Sequence, residues 1–214
     1  MTACIAMALA AIMGGGSAVA QTIGTTTNPS VTYPVRESQP LFGQRIVAPG
    51  ANLSLESFRF VVLNTSSLSV IPAIFEVTSG GANGLTGITL SPAPIWTGPA
   101  TPITNSALPS DYTFTPPTPI ALEPAKVYAI TVRRAIGGEM GDVYTASDNY
   151  PAGNAIILLS DLSIAALPND LAFSATFVPT PASVPTLSEW AMILLGVMLA
   201  GGAALTLHRR RQAA

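Results

Sequence analysis

The stretch "LESFRFVV", residues 55–62, alternates apolar and polar side chains with a period of two. In an extended chain this alternation sends successive side chains to opposite faces. The two faces consist of Phe58, Phe60 and Val62 on one side, and of Ser57, Arg59 and Val61 on the other. Aromatic and β-branched residues favour such a half-buried strand. The stretch therefore predicts a β-strand that packs its aromatic face against an apolar core.

Further segments between residues 21 and 178 follow the same rule. The inward residues predicted in "VYAITVRR" (127–134) are Tyr128, Ile130 and Val132, and those in "LAFSATF" (171–177) are Leu171, Phe173, Ala175 and Phe177. Less regular strand candidates are 41–47, 71–78, 88–96, 111–116 and 155–160. No amphipathic helical period of useful length occurs in this region. Residues 21–178 therefore predict an all-β fold, an antiparallel β-sandwich of jelly-roll or immunoglobulin-like topology.

Composition excludes several classes of chemistry. Residues 21–187 carry six basic and ten acidic side chains, a net charge of 6 − 10 = −4, so we expect no nucleic-acid partner. The only cysteine, Cys4, and the only histidine, His208, lie outside this region. Catalysis by Cys-His or Ser-His-Asp, Cys/His zinc sites and haem ligation are therefore not expected there, and no cofactor is predicted. A hydrolase would depend on carboxylates alone.

The N-terminus has the character of a signal peptide over residues 1–20. An apolar run from Ile5 to Met13 precedes "GGGSAVAQ", in which Ala18 and Ala20 satisfy the small-residue rule for signal peptidase. We predict cleavage after Ala20, with signal peptidase and the export machinery as partners.

The C-terminus contains a second apolar run. Residues 191–207 are 17 uncharged residues, at the short end of what crosses a hydrocarbon core of about 30 Å as a helix. Trp190 lies at one boundary, and the cluster of Arg209, Arg210 and Arg211 lies at the other. The positive-inside rule keeps the arginines in the cytoplasm. The pattern predicts a transmembrane helix with the preceding chain outside.

The residues before this run, "VPTLSEWA", resemble the IPTL-CTERM sorting signal, a relative of the PEP-CTERM signals. The motif residues are Val184, Pro185, Thr186, Leu187 and Trp190, with Val184 in place of isoleucine and Ala191 in place of glycine. The resemblance covers residues 184–211. It implies that an exosortase-type membrane protease recognises the tail, cuts near the motif and passes the body to the surface or the extracellular matrix. A proline-rich linker, residues 179–187, gives a protease access, and a permanent anchor is the competing interpretation.

The body also resembles surface β-sandwich domains that accompany PEP-CTERM-like tails. The segments that carry this likeness are Phe42 to Ile46, Leu55 to Phe60, Leu122 to Ile130 and Asp170 to Phe177. It implies a fold rather than an activity.

Two groups of residues in the body are candidate ligand sites. Glu139, Asp142 and Asp148, in the glycine-rich segment 137–154 with Asn149, are hard oxygen ligands of the kind that bind calcium. Trp96, Tyr144 and Tyr150, with Tyr112, are a candidate platform for a polysaccharide, because aromatic faces pack against sugar rings. A solvated hairpin or inter-sheet loop is the favoured explanation of the first group, and core packing or loop anchoring is the favoured explanation of the second.

The interpretation favoured by these observations is an exported, non-enzymatic β-sandwich that acts at the cell surface or in the matrix as a structural or adhesive component. A carbohydrate-binding module is the first alternative. A carboxylate-based hydrolase, with two acids about 5 to 10 Å apart across a cleft, is the second.

Overall fold

The computed structural model describes residues 19–25, 31–34, 41–50, 52–63, 68–104, 108–137, 142–146, 150–159, 163–180 and 187–212. The chain divides into two compact units, Met1–Thr180 and Pro181–Ala214. We call the first unit the body and the second unit the tail.

The described residues of the body form two sheets, in which the strand pairs are antiparallel. Sheet I consists of β1 (Gln21–Gly24), β2 (Val31–Pro34), β4 (Leu53–Leu63), β9 (Ser110–Phe114), β10 (Ile120–Ala121), β12 (Asp142–Ala146), β15 (Asp170–Leu171) and β16 (Phe173–Pro179). Its order is β1-β16-β4-β12-β15, with β9 and β10 paired to β4 and β2 paired to β12. The strand β4, which contains the stretch "LESFRFVV", therefore lies at the centre.

Sheet II has the order β14-β13-β3-β11-β5-β6, with β7 and β8 also paired to β5. Its strands are β3 (Leu41–Val47), β5 (Leu68–Ser79), β6 (Thr89–Leu90), β7 (Trp96–Thr97), β8 (Thr101–Ile103), β11 (Val127–Gly137), β13 (Ala155–Leu158) and β14 (Ile164–Ala166). The long strands β5 and β11 pair from Glu76–Tyr128 to Leu68–Gly137, with one bulge between Arg134 and Ile136.

Inward side chains of both sheets form one apolar core. Phe58 and Phe60 of sheet I and Ile130 and Val132 of sheet II are at most 1% exposed and belong to the same cluster. The ring centroids of Phe60 and Phe42 are 5.5 Å apart in an edge-to-face arrangement, so the two sheets meet directly. This sharing of one core by two layers is how sheets with one apolar face bury it.

The predicted all-β fold of antiparallel sheets is confirmed, and so are the inward faces predicted for 55–62, 127–134 and 171–177. Three local predictions are wrong. Segment 171–177 is not one strand, because the chain is interrupted at the buried Ala172, between β15 and β16. Residues 88–96 do not form one strand, because "SPAPI" separates β6 from β7. Segment 137–154 is not only a loop, because "DVYTA" forms β12 and pairs with both β2 and β4.

The tail contains one helix, α1 (Leu187–Gln212), which includes the predicted helical run 191–207. Its side chains from Ala191 to Ala203 are all exposed. Within the described residues, no helix has the combination of length and apolar character that crossing a bilayer requires. The predicted helix is confirmed, and its assignment as a transmembrane segment stays a prediction.

Candidate functional site

Trp96 lies in the short strand β7 rather than in the loop that its proline and glycine neighbours predict. It pairs with Ile74, and its ring meets Phe58 edge to face at a centroid distance of 6.2 Å. Gly98 lies against the Trp96 ring, and a Cβ added at Gly98 would be 2.6 Å from Trp96 Cη2. The Gly98 N–H donates to the Pro72 carbonyl at 2.9 Å. Trp96 is therefore partly buried and held in place from two sides.

A small cavity adjoins Trp96. Its volume is about 90 Å³, and the other lining residues are Pro72, Pro99, Thr101, Thr113, Phe114 and Thr115. This is the space of about three water molecules, at about 30 Å³ each. The nearby Tyr112 hydroxyl donates to the Thr104 carbonyl at 3.2 Å. The cavity is too small to enclose a sugar ring, and a saccharide here would contact only the exposed part of Trp96.

Tyr150, the second described member of the predicted aromatic platform, is anchored in the body. Its ring packs edge to face on Phe173 at 5.6 Å, and its hydroxyl accepts a hydrogen bond from the Val47 N–H at 3.1 Å. Burial raises the pKa of this hydroxyl, and the nearby Asp170 carboxylate raises the pKa further. The core-packing interpretation of Tyr150 accounts for these contacts.

A polar bridge that the sequence did not predict connects the two sheets beside Tyr150. Gln44 of β3 donates from Nε2 to Asp170 Oδ1 of β15 at 2.8 Å, and its Oε1 accepts from the Leu171 N–H at 2.9 Å. The second Asp170 oxygen accepts from the Tyr150 N–H at 2.7 Å. Gln44 and Asp170 are both fully buried. We call this arrangement the inter-sheet bridge.

The next residue along β3, Arg45, points to the opposite face of sheet II. Its guanidinium donates to the carbonyls of Gly81 at 2.7 Å and Gly84 at 2.8 Å, and more weakly to Gly80 at 3.4 Å. The residue is fully buried, and its Nε has no partner among the described residues. Burial lowers the pKa of Arg45. We call this contact, which holds the hairpin between β5 and β6, the hairpin clamp.

The remaining predicted site residues lie largely outside the described part of the chain. Asp142 and Tyr144 lie in β12, but nothing is described of their side chains, and Glu139, Asp148 and Asn149 are outside the described residues. Among the described residues, no three acidic, histidine or cysteine side chains come together as a metal site does. The calcium site and the contribution of Tyr144 to an aromatic platform therefore stay predictions.

The predicted processing residues are placed as follows. Ala18, Val184, Pro185 and Thr186 lie outside the described residues, whereas Ala20 is in an irregular segment before β1. Leu187, Trp190 and the arginines Arg209, Arg210 and Arg211 lie in α1. The structure thus puts the Trp190 boundary and the arginine cluster on one helix.

The C-terminal segment matches the IPTL-CTERM motif over residues 182–212. This confirms the resemblance on which the sorting signal was predicted, from Val184 and Pro185 through to the arginine cluster. A signal of this type implies an exosortase-type processing partner and export to the cell surface. No similarity to a curated protein was found.

The solved structures that resemble the chain include two of the same protein. One is a clostridial cysteine protease, Cwp84, after propeptide cleavage, with a TM-score of 0.51 and 12% identity over 75% of this chain and 40% of that one. The other contains the cysteine protease and lectin-like domains of Cwp84, a surface layer associated protein of Clostridium difficile, with a TM-score of 0.44 and 11% identity over 67% and 33% of the two chains. This chain spans 40% and 33% of the two structures, and the first likeness shows the fold alone.

Proposed function

We propose that this chain is an exported protein of the cell surface or extracellular matrix, which an exosortase-type protease releases from the membrane by cutting near its tail motif. The observation that carries the proposal is the IPTL-CTERM match at residues 182–212. In this proposal Val184, Pro185, Thr186, Leu187 and Trp190 are substrate positions for another enzyme.

The tail helix inserts into the inner membrane before the cut. Its exposed side chains between Ala191 and Ala203 are all apolar or glycine, and a helix that is apolar on every side is typical of a buried or membrane location. In the sequence the uncharged run continues to Leu207, and Arg209 to Arg211 follow, which the positive-inside rule keeps in the cytoplasm. Trp190 then lies at the headgroup level.

The body acts without catalysis, as a structural or adhesive module. Support comes from the sequence, in which neither the single histidine nor the single cysteine falls between residues 21 and 178. Two polar clusters of the body, the inter-sheet bridge and the hairpin clamp, are buried and are satisfied mainly by backbone groups. Such clusters position strands and loops rather than substrates.

Intact-mass spectrometry of the protein from its native host tests the proposal. The mature chain should lack Trp190 to Ala214 and end in or close to "VPTLSEW". Changing Pro185 and Trp190 to alanine should block the cut and leave the full chain in the inner membrane, because the protease needs an extended linker before the helix and a motif held at the membrane surface by Trp190. Pro181→Ala, a linker proline outside the matched segment, is the control and should be processed normally.

Two results would contradict the proposal. A wild-type chain that still carries His208 and the arginines would establish the permanent anchor instead. Normal processing of the Pro185→Ala, Trp190→Ala double variant would show that these residues are not what the protease reads.

The carbohydrate-binding alternative depends on Trp96, which borders an open cavity that Thr101, Thr113 and Thr115 also line. A glycan array compares the wild-type chain with Trp96→Ala. Binding that is lost in the variant supports this function, and the absence of binding by the wild type rejects it.

A further inference from the structure

The turn that follows β5 contains the pair Asn83-Gly84, and Asn83 is the only asparagine of the chain that precedes a glycine. Asn83 is exposed at the surface of the body. The side-chain amide of an asparagine can be attacked by the backbone nitrogen of the next residue, and a glycine hinders this attack least because it has no side chain. The turn therefore contains the pair of residues at which spontaneous deamidation is chemically easiest.

The glycine of this pair is required by the packing of the turn. A Cβ added at Gly84 would lie 2.2 Å from the Gly80 carbonyl oxygen, far inside van der Waals contact. The Gly84 N–H donates to the same carbonyl at 3.1 Å, and the Gly84 carbonyl accepts from the Arg45 guanidinium at 2.8 Å. A residue with a side chain does not fit at position 84 unless the turn changes its conformation.

The asparagine of this pair connects the hairpin to another part of the body. Its Nδ2 donates to the Pro151 carbonyl at 2.6 Å, in the turn before β13. An ionised aspartate has no donor at this position, and its carboxylate would face the carbonyl oxygen of Pro151. Conversion of Asn83 to aspartate therefore removes the contact between the hairpin and this turn.

The folded turn opposes the reaction. The Gly84 nitrogen has to lose its proton and approach Asn83 Cγ, but its N–H is bonded to the Gly80 carbonyl. The hairpin clamp also fixes the backbone on both sides of Asn83, through the carbonyls of Gly81 and Gly84. The attack thus requires that the hairpin open first, and such local opening needs less free energy than the unfolding of the whole body.

We propose that Asn83 is a site of spontaneous deamidation, and that the opening of the hairpin clamp sets the rate of this modification. A bond forms between Gly84 N and Asn83 Cγ, the bond from Cγ to Nδ2 breaks, and the proton of the Gly84 N–H leaves with Nδ2 as ammonia. Water then opens the resulting succinimide and leaves aspartate or isoaspartate at position 83. Water is the only co-reactant. The site is independent of the tail, and the inference goes beyond the proposed sorting function.

The modification loosens the hairpin irreversibly. Both products lose the donor to the Pro151 carbonyl. Isoaspartate also adds one methylene group to the backbone between Gly81 and Gly84, whose carbonyls are held by one planar guanidinium. The two carbonyls then no longer have the spacing that the guanidinium of Arg45 fits. The hairpin of a modified molecule should therefore open more often than that of a newly made one.

The experiment follows the full chain in a mild detergent at mildly alkaline pH, which favours loss of the Gly84 amide proton. Peptide mapping by mass spectrometry detects the replacement of –NH2 by –OH at Asn83, and enzymatic methylation detects isoaspartate. The reference is a terminally blocked peptide of residues 79–87, which has the same sequence without the body that holds it. We expect Asn83 of the full chain to convert about ten- to hundredfold more slowly than in the peptide.

Two variants test the role of the hairpin clamp. Arg45→Met removes the donors to the carbonyls of Gly81 and Gly84, and it should speed the conversion of Asn83 by about 5- to 30-fold. Phe177→Leu is the matched control, because it weakens the buried core on sheet I and leaves the contacts of the hairpin in place. Its conversion rate should equal that of the wild type. Amide exchange at Gly84 should change in proportion to the conversion rate, because both need the same opening.

Three results would overturn the proposal. The first is conversion of the folded wild-type chain as fast as the peptide, and the second is an unmodified Asn83 after about a hundred half-times of the peptide. The third is an equal rate in Arg45→Met and Phe177→Leu. Since the comparison of the wild type with the peptide needs no variant, the proposal stays testable even if Arg45→Met does not fold. A result against this site leaves the processing of the tail unaffected, because the two are measured separately.

Discussion

The inter-sheet bridge and the hairpin clamp are formed by adjacent residues of β3. In each, a buried polar side chain is hydrogen-bonded, but the two have different kinds of partner. Gln44 points between the sheets and exchanges hydrogen bonds with Asp170 and the Leu171 backbone on sheet I. Arg45 points to the outer face and contacts only carbonyls of one hairpin, from Gly80 to Gly84. Both side chains have no exposed surface.

The two contacts differ in the parts of the body that they connect. The bridge connects strands that belong to different sheets and are 126 positions apart in sequence, so it forms only when the whole body folds. The clamp stabilises one turn, and it leaves Arg45 Nε without a partner among the described residues. We therefore expect the bridge to determine global stability and the clamp to determine the local opening of the hairpin.

Breaking the bridge should have the largest effect. Asp170→Ala leaves the Tyr150 N–H without its acceptor, and a buried donor left unpaired costs about 1 to 3 kcal/mol. It also removes one hydrogen bond of Gln44 Nε2, worth about 1 kcal/mol, although this group keeps the carbonyls of Arg45 and Gly153. We expect a loss of about 2 to 4 kcal/mol in the free energy of unfolding. Urea denaturation followed by tryptophan fluorescence measures it, in a Trp190→Phe background that leaves Trp96 as the only tryptophan.

Asp170→Asn is the matched control for this prediction, because it keeps the shape and one acceptor oxygen, and it should lose about half as much. If both variants unfold at the wild-type midpoint, the bridge does not connect the sheets energetically.

Breaking the clamp should have a smaller and more local effect. Arg45→Met removes a buried charge, which favours the folded state, and leaves the carbonyls of Gly81 and Gly84 unpaired, which opposes it. We expect the free energy of unfolding to fall by about 1 to 2 kcal/mol. Amide exchange should become faster at residues 80–88 than in the rest of the body. Arg45→Lys keeps a charge but lacks the planar guanidinium that donates to both carbonyls. It should therefore also speed amide exchange in the hairpin. Uniformly faster exchange across the body would contradict a local role.

The strands of the core could be predicted because the alternation of residue types that indicates a strand lies within the strand itself. Phe58 and Phe60, like Tyr128 and Ile130, alternate with polar or smaller residues, and all four are buried as expected. Short strands such as Thr101–Ile103 and Ile120–Ala121 were not predicted, because two or three residues show no period and pairing with a longer neighbour determines them. Strand β12 was hidden among the glycine and acidic residues of 137–154.

The polar contacts could not be predicted by the same method. Alternation assigns Gln44 and Arg45 to opposite faces and would expose one of them, yet both faces of β3 are buried. The partner of Gln44 is distant in sequence, and the partners of Arg45 are backbone carbonyls, which no residue type identifies. The resemblance of the body to surface domains did include both Gln44 and Asp170, in the segments 42–46 and 170–177. The tail motif, in contrast, can be read from the sequence because it is a run of consecutive residues, Val184 to Trp190, followed by an apolar run and an arginine cluster.

The smallest expected effect concerns Tyr150, which packs beside the bridge. Its hydrogen bond contributes to stability at neutral pH, whereas its ionisation contributes to the pH dependence of stability in alkali. Burial raises the pKa of Tyr150, so the folded state holds the phenol proton more tightly than the unfolded state, whose tyrosine pKa is about 10. The resulting stability is fully present below pH 10 and is lost as the pH rises from there through the pKa of the folded state. Burial likewise raises the pKa of Tyr128, so the wild-type chain should lose stability in alkali through both residues.

Tyr150→Phe should lower the free energy of unfolding by about 1 kcal/mol at neutral pH, because the Val47 N–H loses its acceptor. It should also reduce the loss of stability at alkaline pH. Urea midpoints measured from pH 8 upward, together with the ultraviolet absorbance of the phenolate, test both parts. An unchanged alkaline slope in the variant would show that Tyr150 ionises as freely in the folded chain as in the unfolded one.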